Sequence, residues 1–270
     1  MSDIFSLKGK SIIVTGATGI LGEAFIHAIA KAGGNVGILG RNREVANARA
    51  KQINENNGSA IALIADVTNE EQLNAAKETF IAKFGAIDGL VNGAGGNIAE
   101  AVVKPDQNIF SVNLKATEDV VKLNMFGTLL PTQVFGKSME ENGGTIVNIS
   151  SVAAMRALTR VMGYSLAKAS IESYTKFMSV ELANRFGDKI RMNAIVPGFF
   201  LTEQNRTLLI KEDGSYTERA ELIMKNTPFR RFGKPEELNG ALIWLLSDAS
   251  KFVTGISVAI DGGFTAFSGV

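Results

Sequence analysis

Short apolar runs along the chain are separated by longer segments in which apolar residues recur at helical spacing. The runs are nearly continuous in apolar residues, which is typical of parallel strands that are covered on both faces. Segments such as "GEAFIHAIAKAGG" and "NEEQLNAAKETFIAKFG" lie between them and end in glycine, as amphipathic helices often do. Seven runs are predicted to be strands, within residues 11–16, 35–40, 60–67, 89–95, 145–151, 191–198 and 256–263.

This alternation of strands and helices predicts an α/β fold with a doubly wound parallel sheet of about seven strands and right-handed crossovers. No linker, repeat or low-complexity tract interrupts the pattern, so a single domain is expected over residues 1–270. Polar and glycine-rich stretches follow the predicted strands, in "TGATGILG", "GRN", "ADV", "NGAGG", "NISS" and "PGFFLT". Because ligands bind outside the carboxyl ends of the strands in such sheets, we expect a ligand site along that edge.

Composition and charge narrow the class of protein. The 270 residues are 46% hydrophobic and 20% charged, with a net charge of +1, so neither nucleic acid nor an anionic membrane surface is an expected partner. With no cysteine and a single histidine, disulfides are excluded and a catalytic metal is not expected. The N-terminus lacks the apolar segment of a signal peptide, and no apolar run reaches the roughly 18 residues of a membrane span. We expect a soluble, cytoplasmic protein.

The stretch "TGATGILG" follows the first predicted strand and opens a helix from Gly22 to about Lys31. Gly16, Gly19 and Gly22 would let the backbone turn tightly and approach a pyrophosphate, which the amide groups and dipole of a helix N-terminus favour. Glycine also serves plain turns. The position after the first strand of a sheet with polar strand ends favours a dinucleotide-binding site of the Rossmann type.

The end of the second predicted strand bears on the choice between NAD and NADP. An acidic residue there would bind the ribose 2′-hydroxyl of NAD, but "ILGRNR" has Gly40 at that position, followed by Arg41. An arginine can accommodate a 2′-phosphate, so NADP is the predicted cofactor and NAD the alternative. Arg41 could instead be a solvated surface charge. Asp66, after the third strand, could accept from the adenine amino group or cap the next helix.

The stretch "MGYSLAKAS" places Tyr164 and Lys168 four residues apart, on one face of a predicted helix. Tyrosine titrates near ~10 in water, and a neighbouring cation would lower its pKa toward the working pH. The pair could therefore be a tuned proton donor, or two amphipathic side chains on a partly exposed helix face.

Several motifs together resemble those of the short-chain dehydrogenase/reductase family. They are, in order along nearly the whole chain, "TGATGILG", "NGAGG", "NISS", "YSLAK", "VPGFFLT" and "FVTGISVAIDGGF". The glycines of the first motif depart from the family's usual spacing and match that of its extended branch instead. The resemblance implies an oxidoreductase with a catalytic tetrad of Asn124, Ser151, Tyr164 and Lys168.

The resemblance also implies a role for each member of the tetrad. Ser151 would hydrogen-bond the substrate carbonyl oxygen, and Tyr164 would donate the proton. Lys168 would bind the nicotinamide ribose and lower the pKa of the tyrosine, while Asn124 would hold a water that connects Lys168 to solvent. The residues implied to bind the cofactor are Gly16, Thr18, Gly19, Ile20, Leu21, Gly22, Arg41, Asp66, Val67, Asn92, Gly93, Ala94, Tyr164, Lys168, Pro197, Gly198 and Thr202.

Two arginines lie between the predicted catalytic serine and tyrosine, in "VAAMRALTRVMG". Arg156 and Arg160 could bind a substrate carboxylate through paired hydrogen bonds, or could be surface charges near a subunit contact. Together with the long segment before Asn124 and the tail "IDGGFTAFSGV", they resemble the sugar-acid branch of the family. That resemblance implies reduction of D-fructuronate to D-mannonate, with residues 199–228 as a mobile lid.

Other functions stay open at this stage. The substrate could be a keto-gluconate, a steroid-like alcohol or a 3-oxoacyl thioester, although no basic cluster suited to an acidic carrier protein is visible. A non-catalytic nucleotide-sensing protein is a further alternative, which the presence of both Tyr164 and Lys168 disfavours. Because the family commonly forms tetramers, the resemblance also implies a homotetramer.

Overall fold

The computed structural model describes residues 3–201, 206 and 208–269. Within these residues, seven strands form one parallel sheet in the order β3-β2-β1-β4-β5-β6-β7. The strands are β1 (Ser11–Thr15), β2 (Asn35–Gly40), β3 (Ser59–Ile64), β4 (Gly89–Asn92), β5 (Gly144–Ile149), β6 (Ile190–Pro197) and β7 (Ser257–Ile260). The predicted α/β fold is confirmed. Several predicted runs extend beyond their strands, because the chain leaves the sheet where the polar residues begin.

Helices cover both faces of the sheet. In the described part of the chain they include α1 (Ile20–Lys31), α2 (Arg43–Glu55), α3 (Glu70–Phe84), α4 (Leu114–Val121), α5 (Gly127–Gly136), α6 (Met162–Phe186), α7 (Glu218–Asn226) and α8 (Asn239–Leu246). One hydrophobic cluster joins the sheet to α1, α2 and α8, and a second joins it to α3, α5 and α6. In the described part of the chain, no helix has the length and apolar character needed to cross a membrane.

Strand β1 shows why the strands are unbroken apolar runs in the sequence. Ile12 and Val14 belong to the cluster on one face of the sheet, together with Phe25 of α1. Ile13 belongs to the cluster on the other face, together with Phe80 of α3. Successive side chains of a strand point to opposite faces, so a sheet buried on both sides needs apolar residues at every position.

Residues 199–228, predicted to be a lid, contain α7 and carry a hydrophobic cluster of their own. Leu209, Ala220 and Ile223 are buried there with Phe232. These residues belong to neither of the two large clusters on the sheet. Phe200 belongs to the first large cluster, and the other buried apolar residues described in the segment belong to this small one. Movement of the segment over a substrate stays a prediction.

Candidate active site

A cavity of about 250 Å³ opens at the carboxyl ends of the strands. Gly93 after β4, Ser151 after β5 and Pro197 at the end of β6 all contribute to its lining. Parallel strands carry their carboxyl ends to the same edge of a sheet, so residues far apart in sequence meet there. Four of the six polar strand ends singled out in the sequence, those after β1, β4, β5 and β6, thus meet at one cavity, whereas "GRN" after β2 and "ADV" after β3 do not line it.

The glycine loop after β1 packs tightly against neighbouring backbone. A Cβ atom on Gly22 would lie 2.3 Å from the carbonyl oxygen of Gly16, and one on Gly16 would lie 2.7 Å from the Cα atom of Ala94. Gly16 also has a φ of 67°, which residues with a side chain rarely adopt. A Cβ atom on Gly19 would meet only the Gly16 oxygen, at 3.4 Å. The first and third glycines of the motif are therefore the ones that close packing requires.

The N-terminus of α1 opens beside the cavity. The helix begins at Ile20, two residues earlier than predicted, and its N-cap Gly19 provides no side-chain hydrogen bond. The first amide groups of a helix lack partners within it, and here no side chain caps them. Leu21 of this first turn lines the cavity. These donors and the helix dipole fit the pyrophosphate of a dinucleotide.

Arg49 of α2 braces the same loop. Its guanidinium donates to the carbonyl oxygens of Ala17 and Gly19, at 2.5 and 3.0 Å, and to Oε2 of Glu23 at 2.6 Å. The Arg49 side chain is only 13% exposed. No sequence motif pointed to this residue, because only the tertiary fold brings α2 against the loop.

The carboxyl end of β2 explains why an acidic residue is missing there. A Cβ atom on Gly40 would lie 2.7 Å from both Cγ2 and Oγ1 of Thr18, so Thr18 fills the space that an aspartate would need. The Arg41 side chain is 74% exposed, and its Nη1 lies 3.7 Å from Oδ2 of Asp66. Arg41 is thus a surface arginine at the end of β2, a position compatible with a 2′-phosphate.

Asp66 belongs to the turn after β3 and does not cap α3. Its Oδ1 accepts from both the backbone N–H and the hydroxyl of Thr68. Burial acts to raise the pKa of Asp66, but these hydrogen bonds and the charge of Arg41 outweigh it, so the pKa is lowered. The cap of α3 is Asn69, whose side chain accepts from the N–H of Gln72. The alternative of Asp66 as a helix cap is therefore wrong.

Tyr164 and Lys168 lie one turn apart on α6, and both line the cavity. The Tyr164 and Ser151 hydroxyls share a hydrogen bond. Lys168 Nζ lies 5.5 Å from the centre of the Tyr164 ring and donates to the Ile149 carbonyl oxygen at 2.8 Å. The structure thus brings together a serine after β5 and a tyrosine–lysine pair on α6.

The pKa values of this pair respond to burial in opposite directions. Burial raises the pKa of Tyr164, and the hydrogen bond with Ser151 offsets this only in part. Burial lowers the pKa of Lys168 to about 8, against the opposing influence of Glu172. The Lys168 ammonium lies over the ring of Tyr164 instead of at its hydroxyl, and that it lowers the pKa of the tyrosine stays a prediction.

Asn124 is fully buried in a π-helical turn, Lys122–Phe126, between α4 and α5. Its side-chain amide donates to the carbonyl oxygens of Gly96 and Val120 and accepts from the N–H of Gly96. Such turns recur at functional sites. Asn124 therefore fixes the loop after β4 against this turn, and the water it was predicted to hold stays a prediction.

Asn92 departs from its predicted position in the cofactor cleft. It is buried, and its Nδ2 donates to Oγ1 of Thr132 and Oδ1 of Asn148, each at 2.9 Å. Asn148 in turn donates to Thr175. This chain of hydrogen bonds links β4 and β5 to α5 and α6, so Asn92 supports the strand ends from within the core.

The other predicted cofactor residues occupy several positions. Leu21, Gly93, Pro197 and Gly198 line the cavity. Ala94 adjoins Gly16, and Val67 is buried against Gly127. Thr202 lies outside the described residues.

The two predicted substrate arginines have different surroundings. The Arg156 guanidinium donates to the Thr265 carbonyl oxygen and borders a second, shallower cavity instead of the catalytic one. Arg160 has a φ of 74°, and its carbonyl oxygen accepts from the N–H of Val103. Arg219 of α7, which the sequence did not single out, lines the catalytic cavity.

Comparison with known proteins places this site in a family. A family model described as Enoyl-(Acyl carrier protein) reductase matches residues 16–265. The uncharacterized oxidoreductase UxuB of Bacillus subtilis (strain 168) is 42% identical over 275 residues, an alignment that covers 98% of each chain. The chain belongs to the short-chain dehydrogenase/reductase family and is an NAD(P)-dependent enzyme that acts on CH–OH groups.

Two solved structures show the same fold over the whole chain. One, from Haemophilus influenzae, is described as a candidate D-mannonate oxidoreductase with bound NAD. It has a TM-score of 0.90 at 40% identity and covers 98% of both chains. The other is a gluconate 5-dehydrogenase from Burkholderia cenocepacia J2315 in complex with NADP and tartrate. It has a TM-score of 0.85 at 32% identity and also covers 98% of both chains.

Proposed function

We propose that this chain reduces the ketone of a sugar acid, D-fructuronate to D-mannonate, with NADPH as the preferred hydride donor. The observation that carries the proposal is the meeting of Ser151, Tyr164 and Lys168 at one cavity beside the N-terminus of α1. The sugar-acid substrate is supported by the likeness to proteins described as acting on D-mannonate and gluconate, the second of which was solved with a hydroxy acid, tartrate.

A reduced nicotinamide supplies the hydride in this reaction. The Ser151 hydroxyl would donate a hydrogen bond to the substrate carbonyl oxygen, and Tyr164 would transfer its phenolic proton to that oxygen as negative charge develops. Because burial raises the pKa of Tyr164, the phenol stays protonated at neutral pH, which is the form that donates. Lys168, with a pKa of about 8, would then stabilise the tyrosinate and help to restore its proton.

The preference for NADPH rests on the end of β2. Thr18 fills the space beside Gly40 that an acidic side chain would use for the ribose of NAD, and Arg41 follows with its guanidinium exposed. A guanidinium can bind a 2′-phosphate through paired, charge-assisted hydrogen bonds. The relatives differ in this respect, since the Haemophilus protein was solved with NAD and the Burkholderia protein with NADP.

Initial rates with D-fructuronate, measured as loss of nicotinamide absorbance with NADPH and NADH in parallel, test both parts of the proposal. We expect fast turnover with NADPH, and an Arg41→Ser variant should lose about 10-fold in preference for NADPH over NADH. Preference for NADH in the unaltered protein would contradict the role of Arg41. Turnover of another ketone in place of D-fructuronate would contradict the substrate.

The apolar lining of the cavity favours a second candidate, a ketone with a hydrophobic body such as a 3-oxoacyl or steroid compound. Leu158, Val161, Leu208 and Ile223 contribute to this lining. A substrate panel that contains D-fructuronate, 5-keto-D-gluconate, a 3-oxoacyl thioester and a 7-oxosteroid distinguishes the two candidates, because each class of ketone would give the highest kcat/KM under only one of them.

A homotetramer, implied by the family resemblance, belongs to the same proposal. Light scattering of the purified protein at several concentrations tests it, and a mass near that of one chain throughout would contradict it.

A further inference from the structure

We propose that Arg219 binds the carboxylate of the substrate and so determines the preference of the enzyme for acidic ketones. The inference rests on the proposed function for the reacting ketone, and it adds the residue that recognises the charged end of the substrate.

Arg219 brings a positive charge to an otherwise apolar wall. It lies in the first turn of α7 and is half-buried. Among the described residues that line the catalytic cavity, only Lys168 and Arg219 carry a charge. Lys168 is held by the Ile149 carbonyl oxygen beside the tyrosine, so Arg219 is the cation that faces the remainder of the substrate.

The guanidinium of Arg219 is poorly satisfied by the protein. Within the described residues its hydrogen bonds go to Thr159 alone, to the hydroxyl at 3.3 Å and the carbonyl oxygen at 3.4 Å. Both distances are longer than is usual for such bonds. The ion pairs of the described arginines involve Arg41, Arg49, Arg185 and Arg231. Arg219 has no carboxylate partner among them, and a guanidinium offers five N–H donors, so most of its donors remain for a ligand.

Arg160 follows Thr159, the residue to which Arg219 donates, and so brings a second positive charge near the first. Burial lowers the pKa of Arg219, and the charge of Arg160 lowers it further. Arg160 also holds a positive φ of 74°, a conformation that costs energy for a residue with a side chain and often marks functional segments. Neighbouring cations repel each other, and an anion bound at Arg219 would relieve that repulsion.

The shape of the donors favours a carboxylate. A planar guanidinium fork matches two carboxylate oxygens, and such paired bonds are among the stronger ones in proteins. The phosphates of a dinucleotide would bind at the N-terminus of α1, on the side where Leu21 and Gly93 line the cavity. Arg219 and Leu158 border both this cavity and the second, shallower one, so they lie at the other end of the catalytic cavity.

The test uses two pairs of ketones that differ only in a carboxylate against a hydroxymethyl group. D-Fructuronate is paired with D-fructose, and 5-keto-D-gluconate with L-sorbose. Arg219→Gln should lower kcat/KM for the acidic member about 30-fold, mainly through KM, and should leave the neutral member within about 2-fold. Arg219→Lys should lose less, because it keeps the charge without the fork.

Lys225→Gln is the matched control. Lys225 is an exposed residue of the same helix that does not line either cavity, so its loss removes the same charge without removing a ligand. For Lys225→Gln, the ratio of kcat/KM for the acidic ketone to kcat/KM for its neutral partner should equal the ratio of the unaltered protein. Thermal melting of each variant tests whether the protein remains folded.

Binding without turnover gives a second readout. D-Mannonate titrated into enzyme saturated with NADPH cannot react, because both molecules are reduced. Calorimetry should show binding that Arg219→Gln weakens at least about 10-fold and Lys225→Gln leaves unchanged.

Three outcomes would overturn the inference: equal losses on both members of a pair in Arg219→Gln, a preference of the unaltered protein for the neutral members, or reaction with none of the four ketones together with no binding of D-mannonate. Turnover of 5-keto-D-gluconate without D-fructuronate would instead contradict only the proposed substrate. The second pair would then decide the role of Arg219.

Discussion

The two ends of the catalytic cavity are built in different ways. The cofactor end consists of the loops after β1 and β4, where Gly16 and Gly22 allow backbone to pack on backbone without room for one methyl group. The proposed substrate end includes described residues of the segments 158–161, 199–201 and 208–228, where side chains gather around a small hydrophobic cluster. Backbone contacts dictate the residue type, whereas an apolar cluster accepts many residues of suitable volume. The first end can therefore be identified from sequence motifs, and the second cannot.

Tyr164→Phe should separate chemistry from binding most sharply. The variant keeps the ring and loses only the proton donor, so kcat should fall by about 10³-fold while the affinity for NADPH changes little. Rates measured at saturating substrate check the fall in kcat, and fluorescence titration of NADPH checks the affinity for the cofactor. A variant that retained a tenth of the activity would remove the tyrosine from the proposed mechanism.

Gly22→Ala should damage the cofactor end. The new methyl group would lie 2.3 Å from the Gly16 carbonyl oxygen, so we expect destabilisation of about 1–3 kcal/mol and a weakening of NADPH binding by about 10-fold or more. Gly240→Ala is the matched control, because Gly240 is a helical glycine of α8 and, apart from the nearby backbone of its own helix, no atom lies within 4 Å of the place its new methyl group would take. It should gain up to about 1 kcal/mol from helix propensity. Thermal unfolding measures the change in stability of each variant. Changes in the same direction for the two variants would contradict the close packing of the loop.

Arg49→Gln should destabilise the same end of the cavity by a smaller amount than Gly22→Ala. The loop would lose the donors to the Ala17 and Gly19 carbonyl oxygens, so we expect about 2 kcal/mol of lost stability and a several-fold weaker binding of NADPH. Lys51→Gln, on the same helix, breaks only an exposed ion pair with Glu55 and should stay within about 0.5 kcal/mol. Urea unfolding of both variants makes the comparison, and similar losses would mean that Arg49 does not brace the loop.

Lys168 lies where the two ends meet, and its buried ammonium should give a pH-dependent stability. Its folded pKa of about 8 is below the usual lysine value of 10.5, so between these pH values the unfolded chain binds more protons. The free energy of unfolding should therefore rise with pH in this range, relative to Lys168→Met, by about 3 kcal/mol. Well below pH 8 the difference between the two proteins should be constant. Parallel stability curves up to pH 10.5 would show that the lysine keeps its ordinary pKa.

Much of the fold could be predicted because the two-sided burial of the sheet leaves a direct trace in the sequence. Ile12, Ile13 and Val14 are apolar for two different clusters, and that requirement repeats in the other strands. Three site residues could be predicted for a related reason. Ser151 follows a strand end, and Tyr164 and Lys168 share a helix face.

The remaining features depend on tertiary contacts that leave no local pattern. Arg49 acts through carbonyl oxygens of a loop far from it in sequence, and Arg219 reaches the cavity from a helix within the predicted lid. Asn92 stands in a strand-end motif, yet its amide turns into the core toward Thr132. The direction of the pKa shift of Tyr164 depends on its burial, which the sequence spacing of Tyr164 and Lys168 does not reveal.

The contact between Thr18 and Gly40 restricts how this enzyme could change its cofactor by mutation. A single change of Gly40 to aspartate would force the new side chain onto Thr18, so the Thr18 side chain would have to shift before the aspartate could serve the ribose of NAD. A smaller residue at position 18 would remove this clash. The two positions are therefore expected to be epistatic, and redesign of the cofactor preference has to treat them as one unit.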